Sequence, residues 1–185
     1  SLETKYYALQ IIQDLINFHL NDKNPDALID ADLFRLDYIH THTQHPKKDT
    51  LYFNTLKQLQ QTYSNHPRST EVDFRIATWY NSKASEYNPL EGDNYKWYIK
   101  QAREICEATI KKMPDSYGAK QCQNLIYQIE TKSLNLTVEE VNEPMKPFRA
   151  LVSSTNINKL YFKIVKTSHQ ELRKVYRKEW GEKLY

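Results

Sequence analysis

His40, His42 and His45, in the run HTHTQH, are the side chains whose type most favours metal chemistry. Zinc is held by ligands that converge on one tetrahedral point. Two residues two positions apart on a helix point about 200° away from each other. His40 and His42 could therefore share an ion only where the helix had already ended, and no fourth ligand accompanies them. A solvated helix terminus is the reading adopted, since a histidine near a helix C-terminus is favoured by the helix dipole. The acidic group Asp26, Asp30, Asp32 and Asp37 contains one i, i+4 pair, Asp26 and Asp30. Calcium loops need a glycine-permitted turn, and no glycine precedes Gly92, so these carboxylates read as an exposed helix start. A glycine-rich phosphate loop, a G-x-S-x-G turn and cysteine pairs at zinc spacing are all missing from the sequence. No catalytic residue, metal ligand or cofactor-binding residue is assigned, and the chain is read as noncatalytic, with no cofactor.

Cys106 and Cys122 are the two cysteines, too few for a disulfide scaffold. They lie eight residues before and eight after Pro114. In an antiparallel helical hairpin they could stand at a similar height. A bridge would need Cα atoms within about 7 Å, and the plainer reading is two small core residues at a close helix contact. Among the aromatic residues, Tyr6, Tyr7, Tyr38, Tyr63, Trp79 and Tyr80 lie at helical spacing and read as core or hairpin contacts. Tyr95, Trp97 and Tyr98 cannot all face one way, so one of them should be exposed. These three are the candidate partner-binding residues, since repeat surfaces use exposed aromatics in this way.

The elements that position these residues follow from composition and periodicity. A chain of 185 residues, 39% hydrophobic and 12% aromatic, can bury one good core or two small ones. A mean hydropathy of -0.79 implies a heavily polar surface. No apolar run approaches the ~18 residues of a membrane span, and no signal-peptide pattern appears in these residues. The chain starts at Ser1 and stops at Tyr185 after a charged segment, and is read as a fragment. A net charge of +3 does not point to nucleic acid. Leu160–Tyr185 holds seven Lys/Arg against three Glu, which solvated helix or strand faces explain.

Apolar residues recur every three or four positions over Ser1–Lys132, predicting six helices. Glu3–Leu20 carries Tyr7, Leu9, Ile11, Ile12, Leu15, Ile16 and Phe18 as a broad stripe. Pro25–Thr41 follows with Leu28, Ala31, Phe34 and Ile39, then Asp49–Asn65 and Ser69–Tyr87. Asp93 or Asn94 is placed to cap a fifth helix running to Met113, and Pro114-Asp115-Ser116 introduces a sixth. An internal echo joins them: Pro67-Arg68-Ser69 and Pro114-Asp115-Ser116 each sit between two amphipathic helices, 47 residues apart. The pattern is tetratricopeptide-like, though longer than the roughly 34-residue period of such repeats. Stacked antiparallel hairpins are expected.

The pattern changes at Ser133. Leu134, Leu136 and Val138, then Phe148, Ala150 and Val152, then Leu160, Phe162 and Ile164 alternate with period two, predicting three strands. Pro144 and Pro147 divide the first from the second, and Asn156-Ile157-Asn158 the second from the third. Asn135-Leu136-Thr137 is a formal glycosylation sequon but falls inside the first strand. Ser168–Lys183 is weakly helical, with Leu172, Val175, Tyr176 and Trp180 on one face and a Ser168/Glu171 capping box. Three strands cannot close a β-sandwich, which takes about seven. Unpaired strand edges should be shielded or support self-association.

The wording PMKPFRALV, followed by an asparagine-containing link and LYFKIVK, resembles the opening of the first macroglobulin-like domain of bacterial alpha-2-macroglobulin-family proteins, in one branch of which helical repeats precede that domain. The resemblance implies a tetratricopeptide-like domain over 1–132 and an incomplete macroglobulin-like β domain over 133–185. It also implies a periplasmic or envelope protein, lipid-anchored in its full length, that traps endopeptidases after cleavage of a bait segment. Target proteases and envelope proteins are the implied partners. The family's Cys-x-Glu-Gln thioester motif does not occur, since Cys106 precedes Glu-Ala-Thr and Cys122 precedes Gln-Asn-Leu. The alternative reading is a helical-repeat adaptor binding peptides or an envelope assembly.

Overall fold

The structure, a computed structural model, describes residues 2–139, 142–143, 146–163, 165–171 and 173–174. The chain is mainly helical, with an antiparallel strand pair towards its C-terminal end. Its helices are α1 (Leu2–His19), α2 (Asp26–His42), α3 (Lys48–Thr62), α4 (Ser69–Ala84), α5 (Tyr98–Lys112) and α6 (Tyr117–Glu130), followed by β1 (Ser133–Val138) and β2 (Ala150–Thr155). It divides into two compact units, Ser1–Thr131 and Lys132–Tyr185.

Within the helical unit α4 packs against α3, α5 and α6. Its sequence serves two cores at once. Val72 and Ile76 join Ile29, Leu33 and Leu36 of α2 and Leu56 of α3. Ala77 joins Ala102 and Cys106 of α5 and Cys122, Leu125 and Ile126 of α6. Burying aliphatic side chains of this kind stabilises by about 1.5–3 kcal/mol each. The α4–α6 approach is close enough to need a glycine. A Cβ built on Gly118 would stand 2.2 Å from the Thr70 carbonyl carbon. The two proline turns differ in detail: Ser116 caps α6 by accepting from the Ala119 N–H at 3.2 Å, whereas Ser69 is the buried first residue of α4 and makes no cap bond.

Several sequence expectations change on contact with neighbours. The broad stripe of α1 buries Ile12 and half-buries Ile16, while Ile11 and Phe18 are 68% and 77% exposed, because α1 packs mainly on α2. In α2 the buried face is Ile29, Leu33 and Leu36 with Ala31, leaving Phe34 exposed. The fifth helix starts at Tyr98 rather than after Asp93 or Asn94. Asp93 instead pairs with Lys96 at 3.0 Å, inside a turn where Gly92 and Tyr95 take positive φ of 109° and 65°.

In the second unit β1 and β2 pair antiparallel, with Leu136 opposite Val152 and Val138 opposite Ala150. Asn156 takes the left-handed conformation (φ 56°) immediately after β2, as its side chain readily allows. The expected third strand does not form: residues 158–163 carry no strand pairing, and Ile164 lies outside the described residues. Alternation makes a strand only where a neighbouring edge takes up the backbone hydrogen bonds. Pro144 also lies outside the described residues. The capping box at Ser168 forms, with the Ser168 N–H donating to Glu171 Oε2 at 2.9 Å and the Glu171 N–H to Ser168 Oγ at 3.3 Å. Hydrogen bonding from Ser168 holds the Glu171 carboxyl below its usual range. Leu172, Val175, Tyr176 and Trp180 lie outside the described residues.

Candidate functional site

One face of α4 builds a wall of a concavity in the helical unit. Arg75, Thr78, Trp79, Ser82 and Lys83 recur at helical intervals, so the α-helix itself aligns them along one wall. Asp37 and His40 of α2, Asp49 and Tyr52 of α3, and Gln121 of α6 complete a cavity of about 510 Å³.

Its charged groups neutralise one another. Arg75 Nε donates to Asp37 Oδ2 at 2.9 Å, and the Tyr52 hydroxyl donates to Asp37 Oδ1 at 2.6 Å. Burial, reinforced by Asp37, pushes the Tyr52 hydroxyl well above the usual phenol range. The His40 ring stacks on Tyr52 at 4.3 Å and reaches Asp49 Oδ1 at 2.7 Å. Lys83 Nζ binds Asp49 Oδ2 at 2.6 Å and Glu86 Oε1 at 2.7 Å. The hydrogen bond to Asp49, then that to Glu86, pushes Lys83 up to about 12. Lys83 and then His40 hold the Asp49 carboxyl below its ordinary value. The wall is a charge network linking three helices, with its ionic valences already used.

Two neutral polar atoms are different. Among the described residues, buried side-chain atoms without a hydrogen-bond partner are Ser69 Oγ, Trp79 Nε1 and Gln121 Oε1, and the latter two residues line this cavity. Leaving such an atom unpaired costs about 1–3 kcal/mol, so each calls for a reason. The Trp79 ring is held firmly, 4.2 Å from Phe53 and 6.0 Å from Tyr98 between ring centroids.

The candidate aromatics separate. Tyr98 packs edge-on against Tyr80 at 5.0 Å and Tyr95 at 5.1 Å, and both Tyr95 and Tyr98 are half-buried. Trp97 is the exposed ring, 61% accessible, with Lys96 Nζ 5.4 Å over its face. The three histidines go to different places. His40 faces the cavity, His42 packs edge-on against Tyr38, and His45 Nδ1 accepts from the Lys47 N–H in the following loop. Among the described residues no three His, Cys, Asp or Glu side chains gather as metal ligands. The acidic group also disperses: Asp26 lies 3.6 Å from both His66 and Arg68, Asp32 pairs with Arg35 at 2.7 Å, and Asp37 enters the cavity. Arg75, Lys83, Asp49 and Gln121 carry the cavity without having been singled out in the sequence. The polar stripe at 75, 78, 79, 82 and 83 was the available signal, hidden because a polar helix face usually means solvent.

Both cysteines are free thiols buried in the α4–α5–α6 core. The Cys106 thiol is pushed up strongly by its hydrogen bond with Cys122 and by burial. Comparison with protein-family models, with curated proteins and with solved structures found no match to this chain.

Proposed function

We propose that this chain is a noncatalytic protein-interaction module, with the α2–α3–α4–α6 cavity as its docking site. The single observation carrying the reading is a cavity walled by ion pairs, with an indole N–H and a carboxamide oxygen buried in its lining residues that have no hydrogen-bond partner among the described residues. A protein segment supplies the missing acceptor and donor in every peptide group. Selection of a random peptide library displayed on phage against the chain tests this. Binders should be lost on Thr78→Trp, which plugs the cavity from an exposed position. Binders indifferent to that plug, or none, overturn it.

The wider setting is proposed from the macroglobulin-like wording of residues 144–166: the module serves the N-terminal end of an envelope endopeptidase inhibitor. The β1–β2 pair favours this, since Leu134, Leu136 and Val138 alternate yet all stay about half exposed, as in an unfinished sheet. A trapped protease keeps small substrates and loses large ones. Incubating the full-length protein with a broad-specificity endopeptidase and finding both substrates hydrolysed at unchanged rates would remove this setting while leaving the module intact.

A further inference from the structure

We infer that Cys106 and Cys122 are a dithiol placed to close into a disulfide between α5 and α6 when a disulfide-bearing oxidant is supplied. Both side chains are fully buried, in one cluster, on the facing sides of two helices joined by the short Pro114 turn. Small residues share that cluster with the pair: Ala102 on α5 and Ala77 of α4. Packed helix axes lie about 8–10 Å apart, and Cα atoms stand about 2.3 Å off each axis. Facing positions therefore bring Cα atoms to roughly 3.4–5.4 Å, a range that overlaps the ~4.4–6.8 Å span a disulfide bridges. Both thiols are already fully buried in one cluster, so closure needs only a displacement within the hairpin.

The chemistry is thiol–disulfide exchange. One cysteine, as thiolate, attacks a sulfur of the oxidant's disulfide, expelling one thiolate and forming a mixed disulfide. The second cysteine, as thiolate, attacks the protein sulfur of that mixed disulfide and expels the oxidant's other half. Two electrons pass from the cysteine pair to the oxidant, and the two protons end on its released thiols. Because both sulfurs are buried, exchange proceeds through local opening of the α5–α6 hairpin or during folding. The bridge then encloses the Pro114 turn and constrains the hairpin in the unfolded chain. Gln121 is adjacent to Cys122, so the bridge fixes the α6 wall of the cavity.

The test uses the whole chain with oxidised and reduced glutathione at a series of ratios, quenched in acid, denatured and labelled with a maleimide polymer. The expected result is a monomer that loses both labels together, two hydrogens lighter by mass, with unchanged helical circular dichroism. Its melting temperature should rise by about 5–15 °C and return on adding dithiothreitol. Cys106→Ser and Cys122→Ser should each yield a glutathione adduct and no two-hydrogen loss. A folded chain keeping two maleimide-reactive thiols at the most oxidising ratio overturns the inference. So does a bridge that lowers the melting temperature or the helical signal.

Discussion

The helical unit and the strand unit use similar apolar residues to opposite effect. Along α4, Val72, Ile76 and Ala77 are fully buried because α2 and α3 pack on one side of the helix and α5 and α6 on the other. Along β1 all six residues are exposed, although Leu134, Leu136 and Val138 alternate as cleanly as any strand requires. A helix satisfies its backbone internally and needs only neighbours for its apolar face. A strand needs a neighbour for its backbone and a second layer for its face as well. β1 and β2 supply the first requirement to each other, and among the described residues nothing buries the apolar face of the pair. Apolar pattern is therefore a statement about what an element needs, and the fold decides what it obtains.

Substitutions measure that difference. The largest effect should come from Ile76→Ala, expected to remove about 3–4 kcal/mol in urea titration followed by circular dichroism, because it opens a cavity in a filled core. A loss below about 1 kcal/mol would break the contrast. Gly118→Ala should follow, at about 2–3 kcal/mol, since its methyl meets Thr70 backbone that cannot swing aside. A Gly118→Ala variant as stable as the original would mean that α4 and α6 stand farther apart.

Alkaline pH probes the network specific to the helical unit. Tyr52 and Lys83 both hold their protons more tightly when folded, against about 10 and 10.4 for the free side chains. Their contribution is complete below about pH 10 and is lost as pH rises through the higher folded values. Between about pH 10 and 11.5 the urea midpoint should fall by the equivalent of about 1–2 kcal/mol, allowing for screening. Tyr52→Phe should flatten part of that fall, and an unchanged slope would remove Tyr52 from the account. Asp49 acts in the opposite sense: depressed when folded, it adds stability above about pH 4 that disappears on acidification. The smallest effect should be that of Leu136→Ala, below about 1 kcal/mol, since only the cross-strand contact with Val152 is given up. A larger loss would show that β1 has a packing partner.

Much of this was legible residue by residue. Pro25, Pro67 and Pro114 mark helix boundaries because proline lacks the N–H that a helix interior needs, and the Ser168/Glu171 capping box forms because both partners lie within one turn of chain. The candidate aromatics were legible only as a set. That Tyr98 would pack and Trp97 remain exposed depended on Trp79 and Tyr80, which arrive from α4. The cavity left only the polar stripe of α4 as a trace in the sequence. Asp37 meets Arg75 across 38 positions, and no local spacing announces such a pair.

What the amino-acid order determined by itself was local: where helices break at proline turns, where period two replaces the helical period, and the Ser168/Glu171 capping box. Those choices rest on hydrogen bonds within a turn or two of chain, complete before any neighbour arrives. Tertiary structure alone decided which stripe of α1 and α2 is buried and that residues 158–163 form no strand. It also decided that the polar face of α4 becomes a wall rather than a solvated surface. The reason is the same in each case: burial and ion pairing are satisfied by a partner, and a sequence names the need without naming the partner.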